Sequence, residues 1–259
     1  MEIYDSRLLL IYFAIKYDGD YDKVYMANVL KEYPPYEEVL KVTSSLKCKA
    51  LTLLDYDYPQ KLKQIYRPPI VLFYYGDITL LDKPTLGVVG SREYSEYGKY
   101  CAETIISDVI GGRVLVSGLA KGIDTIAHEC AIKNGGRTIA VLGSGIDNCY
   151  PSENQELYEE IKKNHLIISE YPGMSTPDAK HFPMRNRIIT ALADGIYIPQ
   201  INSYMSGTMI SFSQAVALNK PVFVAPDRLT SETINNRLLD EGAIFTIDGE
   251  TIRYELKWR

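Results

Sequence analysis

The sequence predicts an α/β fold in which helices cover both faces of a parallel sheet, preceded by a small N-terminal helical module. Three observations carry this. From Leu86 onward, short apolar runs alternate with longer stretches of helical spacing. That order marks βαβ units, whose right-handed crossovers build a parallel sheet. The runs are apolar throughout rather than alternating with polar residues, as strands are when helices bury both faces. Residues 1–50, by contrast, are rich in Tyr, Leu and Lys at helical spacing, and Pro34-Pro35 breaks them into two helical pieces.

The elements follow in order. The pattern changes near Tyr58-Pro59, which divides the chain into a small helical (SAM-like) module, 1–55, and a sheet domain, 56–259. Pro68-Pro69 opens a strand over 70–75, stopped by Gly76. Further strands are expected over 86–89, 114–117, 138–142, 166–169, 195–198, 222–225 and 243–247. Helices fall between them over 95–110, 124–134, 152–163, 183–193, 208–218 and 233–240. Asp124 is placed to cap the second of these, its carboxylate taking free N–H groups of the next turn. Pro183 suits a first helical position, because its missing N–H would have been unbonded there. Ser206 is a natural N-cap for the helix that follows.

Composition narrows the function. The formal net charge is −5, which argues against a generally basic surface, so any nucleic-acid site must be local. Four cysteines include no C-x-x-C pair, which fits free thiols in a reducing compartment. Three histidines without ligand spacing make a zinc site unexpected. No run of 18 apolar residues suggests a transmembrane helix, and the apolar run 8–15 lacks the flanks of a signal peptide. The expected location is the cytoplasm.

Ligands of such sheets bind outside the carboxyl ends of the strands. The loops there are 90–92, 118–124, 143–145, 170–182, 199–208 and 225–231. The most telling stretch is His181-Phe182-Pro183-Met184-Arg185-Asn186-Arg187-Ile188-Ile189. A helix beginning at Pro183 puts Arg185 and Arg187 in its first turn, with Lys180 just ahead. Cations there oppose the helix dipole, and a bound phosphate would reconcile the two. Phe182 adds an aromatic face. Cation beside aromatic suits an unpaired nucleic acid, one group for the backbone and one for a base. The plainer alternative is two solvated arginines and a core phenylalanine.

Other motifs are weaker. Gly90-Ser91-Arg92 lets backbone and guanidinium approach a phosphate, or is an ordinary β–α turn. In Ser117-Gly118-Leu119-Ala120-Lys121-Gly122-Ile123-Asp124, Lys121 offers a second phosphate contact. His128 stands one turn beyond Asp124, and acid–base work by that pair is the less expected reading. Gly143-Ser144-Gly145 begins a dinucleotide fingerprint, but Asn148 occupies the third glycine's place. Neither a P-loop nor a G-x-S-x-G elbow is present. Ser206-Gly207-Thr208 supplies hydroxyls and amides for one phosphate or carboxylate.

In order along the chain, these stretches resemble the DNA-processing protein A family, also called DprA or Smf. The pieces are Gly90-Ser91-Arg92, Ser117–Asp124, Ala127-His128, Gly135–Gly145, Tyr150-Pro151-Ser152-Glu153-Asn154, Ser169-Glu170-Tyr171-Pro172, Phe182–Ile189 and Ser206-Gly207-Thr208. The resemblance implies an extended Rossmann-like domain that binds single-stranded DNA, dimerises, and hands the DNA to RecA in natural transformation, displacing or bypassing single-strand-binding protein. It carries DNA-pocket roles to Arg92, Phe182 and Lys180. The expected DNA-binding set is Arg92, Lys121, Lys180, Phe182, Arg185, Asn186, Arg187, Ser206, Gly207 and Thr208. A late helix implies Asn236 and Leu239 at a homodimer interface. No catalytic residue, cofactor or membrane contact is expected. Departures lie mainly in the C-terminal half, where Pro199-Gln200 replaces Glu-Ala and Pro226-Asp227 replaces Pro-Gly. The family lysine also usually stands where this chain has Ala179, one step before Lys180. A rival reading is a phosphoribohydrolase-like enzyme on the same scaffold. That enzyme needs a glutamate soon after the glycine-threonine turn, and no carboxylate follows Thr208 until Asp227. A nucleotide sensor is the third reading.

Overall fold

The computed structural model describes residues 5–227 and 233–258. Three helices, α1 (Ser6–Lys16), α2 (Tyr21–Val29) and α3 (Tyr36–Ser44), open the chain. Asp18 and Gly19, both at positive φ, add a break between α1 and α2 that the proline count missed. There follow β1 (Lys49–Thr52), α4 (Gln60–Lys63), β2 (Val71–Gly76), β3 (Thr85–Val88), α5 (Glu96–Val109), β4 (Val114–Ser117), α6 (Ile123–Lys133) and β5 (Arg137–Leu142). The chain continues through α7 (Gln155–Asn164), β6 (Leu166–Ser169), α8 (His181–Leu192), β7 (Gly195–Ile198), α9 (Gly207–Ala217), β8 (Val222–Val224), α10 (Ile234–Asp240), β9 (Ile244–Phe245) and α11 (Gly249–Glu255). The expected loop at 225–231 runs beyond Asp227 onto residues outside the described set.

Among the described residues, nine strands form one sheet in the order β1-β2-β6-β5-β4-β3-β7-β8-β9. From β6 to β9 every pairing is parallel. The expectation of a wholly parallel sheet is corrected at one edge, where β1–β2 and β2–β6 are antiparallel. An apolar run does not encode its direction; the connection does. The link from β1 to β2 contains only the single turn of α4, not the crossover helix a parallel return uses. β1 itself is short and half-exposed, so it leaves no apolar run to read. It also draws residues of the expected helical module into the sheet.

Alternate residues of each strand serve opposite faces. Val116, Val141, Ile168, Ile196 and Val224 pack with Ile188, Ile189 and Leu192 of α8 and Phe212 of α9. On the other face, Leu115, Val88 and Tyr197 meet α5 and α6, while Ala140, Ile167 and Phe73 meet α7 and the N-terminal helices. Six consecutive residues of α1, Leu9 to Ala14, are buried, as in a helix enclosed on all sides.

Two features position the site. β3 lies between β4 and β7, so successive connections depart to opposite sides there. Such a switch point opens a crevice at the strands' carboxyl ends. Second, α8 is held at its rear: Lys220 Nζ donates to the carbonyls of Thr190 (2.8 Å), Ala191 (2.6 Å) and Ala193. A cation at a helix C-terminus is favourable, although burial lowers the lysine's pKa to about 8.

Candidate nucleic-acid interface

At the switch point lies a cleft of about 460 Å³, formed by the loops after β3, β4 and β7 and by α8 and the start of α9. Arg92, Phe182, Arg185, Asn186, Ser206, Gly207 and Thr208 all line it. Seven of the ten residues expected to bind DNA therefore meet in one place. A larger apolar groove, of about 970 Å³, lies between α1, α2 and the segment after β1. None of the ten residues expected to bind DNA lines it.

The aromatic wall is built from glycine. A Cβ on Gly143 would sit 2.8 Å from the Phe182 ring, so only glycine after β5 lets the ring settle there. The Arg92 guanidinium lies 5.5 Å from the Phe182 ring centroid, a cation–π distance. Arg92 is exposed and keeps its donors available to solvent. Its loop is held by Asn202, whose backbone N–H donates to Ser91 Oγ at 2.9 Å. Ser206 caps α9, its hydroxyl accepting from Met209 N. Asn186 Nδ2 donates to the Gly207 carbonyl at 2.9 Å, which ties α8 to the start of α9.

Arg185 forms the floor. It is 5% exposed and donates to the Val141 carbonyl at 2.7 Å. Gly118 makes room for it, since a Cβ there would lie 1.6 Å from Arg185 Nη1. Burial pulls its pKa down and the nearby Asp124 pulls it back up. Asp124 shows the converse: burial raises its pKa, while Arg185 opposes the rise. The expectation that Asp124 caps the next turn is corrected, because its carboxylate accepts from Gly118 N and Ala120 N behind it. It braces the glycine-rich loop instead. That loop holds Leu119 at φ 57°, a conformation costing a branched residue on the order of 1–3 kcal/mol. Asn154 Nδ2, donating to the Leu119 carbonyl at 3.0 Å, helps to fix it.

Three expected residues lie outside the cleft wall. α8 begins at His181, two residues before Pro183, because Asp178 accepts from both Lys180 N and His181 N. Arg185 and Arg187 consequently fall beyond the first turn, and the helix-dipole argument does not apply to them. Arg187 turns away from the cleft, donating to both oxygens of Glu170 at 2.6 and 2.7 Å and to the Arg67 carbonyl. Burial opposes its charge, but Glu170 outweighs this and raises its pKa. Lys180 pairs with Asp178 at 3.5 Å, in a neighbouring recess between α8 and the α1–α2 turn. Lys121 pairs with Glu153 on the surface. His128 bonds Thr138 Oγ1 at 2.6 Å, and burial lowers its pKa to about 3; it is a neutral core residue without a hydrogen bond to Asp124. Sequence reasoning missed Asn202, Ser203 and Met205, which also line the cleft. They stand in the segment after β7, which carries no cationic motif of the kind that drew attention elsewhere.

Toward the β9 edge of the sheet, Asn236 Oδ1 accepts from Asp227 N, and Leu239 packs partly against the core. Pro199 and Gln200 are accommodated locally. Gln200 Oε1 accepts from Ser95 N, and the buried Asn235 donates to the Pro199 and Ala225 carbonyls. Among the described residues no helix is long and apolar enough to cross a membrane.

Comparison with known proteins gives a consistent result. The family described as DNA recombination-mediator protein A matches residues 49–257. The chain is 39% identical to the DNA processing protein DprA of Streptococcus pneumoniae over 82% of its own length and 76% of the relative's. It is 38% identical to the Bacillus subtilis protein over 88% and 77%. The S. pneumoniae structure superposes with a TM-score of 0.83 at 32% identity, covering all of both chains. The DNA processing protein A of Helicobacter pylori, whose structure addresses its single-stranded DNA binding mode, gives 0.73 at 33% identity, covering 83% of this chain and 97% of that one.

Proposed function

The chain belongs to the DNA recombination-mediator protein A family, and from that premise we propose that it holds single-stranded DNA at the switch-point cleft and loads RecA on it, without chemistry of its own. The observation that supports this most is the convergence of Arg92, Phe182 and Arg185 in one cleft of an otherwise acidic molecule. The exposed Arg92 takes a phosphate. Phe182 stacks a base. Ser206, Gly207 and Thr208 present hydroxyls and the first amides of α9 to a second phosphate. Lys121 and Lys180 flank the cleft; their partners are exposed carboxylates, weak ties that a phosphate displaces at little cost. RecA is the partner that receives the strand, with single-strand-binding protein displaced. Asn236 and Leu239 belong to a homodimer surface, the location is the cytoplasm, and the setting is natural transformation.

The test is a gel shift with single- and double-stranded DNA of one sequence, followed by RecA pull-down and RecA-filament assembly on strands coated with single-strand-binding protein. The expected outcome is preference for the single strand and faster assembly. Equal affinity of wild type and the Arg92→Ala and Phe182→Ala variants would overturn the pocket. Base release from a nucleoside monophosphate would favour the enzymatic alternative.

A further inference from the structure

Tyr150 lies just beyond the cleft, in the loop that follows β5, and none of the roles above uses it. The side chain is 46% exposed. Its ring centroid is 5.9 Å from that of Phe182, and the two planes meet at 40°. Arg92, Phe182 and Tyr150 thus form a continuous run of π surface leading out of the cleft. In the sheet, β5 and the Ser206 loop after β7 stand on opposite sides of β3. The run therefore leads away from α9. Lys121 stands on the same side, paired on the surface with Glu153 of the loop that carries Tyr150.

The spacing says how such a surface is used. Stacked bases repeat at about 3.4 Å, so a base inserted between two rings needs them about 6.8 Å apart. At 5.9 Å and tilted, Phe182 and Tyr150 do not sandwich one base; each offers a face to its own. Two supports inclined at 40° suit successive bases that are free to turn relative to each other. Bases in a duplex stay nearly parallel, whereas those of an unpaired strand rotate about the backbone. We propose that Tyr150 is a second stacking residue, carrying the nucleotide next to the one on Phe182, so that the strand leaves across the β5 side with Lys121 beside its backbone. This rests on the single-stranded DNA reading of the cleft.

The experiment measures the affinity of oligothymidylates of increasing length for wild type and for Tyr150→Ala, Tyr150→Leu, Tyr150→Phe and Phe182→Ala. Loss of one stacked base weakens binding by about five-fold or more. Tyr150→Ala and Tyr150→Leu are expected to show that loss on long strands, with an unchanged salt slope. They should show none on oligomers short enough to fill only the cleft. Tyr150→Phe is expected to bind as wild type, because the ring and not the hydroxyl is used. Should Tyr150→Ala unfold, the comparison of Leu with Phe decides. Wild-type affinity for both Tyr150→Ala and Tyr150→Leu at every length, with Phe182→Ala weakened, would overturn this inference and leave the cleft standing. If wild type fails to bind single strands at all, the cleft reading falls and this one falls with it.

Discussion

Arg92 meets solvent at the mouth of the cleft, while Arg185 is enclosed at its floor. The same charge therefore has two jobs. Arg92→Ala is expected to leave thermal stability unchanged and to flatten the plot of log affinity against log salt by about 0.7 for each phosphate released. Arg185→Ala removes the charge that opposes the rise in the buried Asp124's pKa and empties the floor of the cleft, and is expected to lower the midpoint of chemical denaturation. Phe182→Ala should lose about 1–3 kcal/mol of binding with the salt slope kept. His128 gives a prediction in pH. Its folded pKa, about 3, lies below its ordinary 6.5, so its contribution is fully present above pH 6.5 and is lost as pH falls and the unfolded chain takes the proton. The loss approaches about 1.4 kcal/mol per pH unit. Denaturation midpoints of His128→Gln should fall less steeply than those of wild type below pH 6.5. At this scale the sequence announced charges and rings but not their partners. Arg187 reads like Arg185 because the Glu170 that neutralises it sits on the preceding loop and is joined to it only by folding.

The elements were legible wherever an apolar run or a cap marked them. β3 to β7 fall within a residue or so of their expected positions, and Ser206 caps α9 as its place before the helix suggested. The start of α8 was not legible, because Asp178 extends the helix upstream of the proline. β1 was lost because half of it faces solvent. The cleft depends on how α8 seats against the loop after β5, and Gly143 sets that seating. Gly143→Ala is expected to push the Phe182 ring aside and weaken single-strand binding to the level of Phe182→Ala, with secondary structure by circular dichroism unchanged. Wild-type affinity for that variant would show that the ring does not need its present position.

For the whole molecule, the helical module and the sheet share one core. Leu9 to Ala14 of α1 pack in the same cluster as Phe73 and Ile167 of the sheet. A chain beginning after α3 is therefore expected to unfold less cooperatively or aggregate, even though the family match begins at residue 49; size-exclusion chromatography and calorimetry check this. The formal charge of −5 implies that the cationic groups of any nucleic-acid site are local, but the sequence does not show which cations cancel internally. Distance along the chain says little about neighbours across a sheet of nine strands. Lastly, Lys220 grips three carbonyls at the tail of α8, which opposes lengthwise slip of the helix that presents Phe182. On the single-stranded DNA reading proposed above, tension along a held strand would load this seat from the front while the lysine braces it from behind.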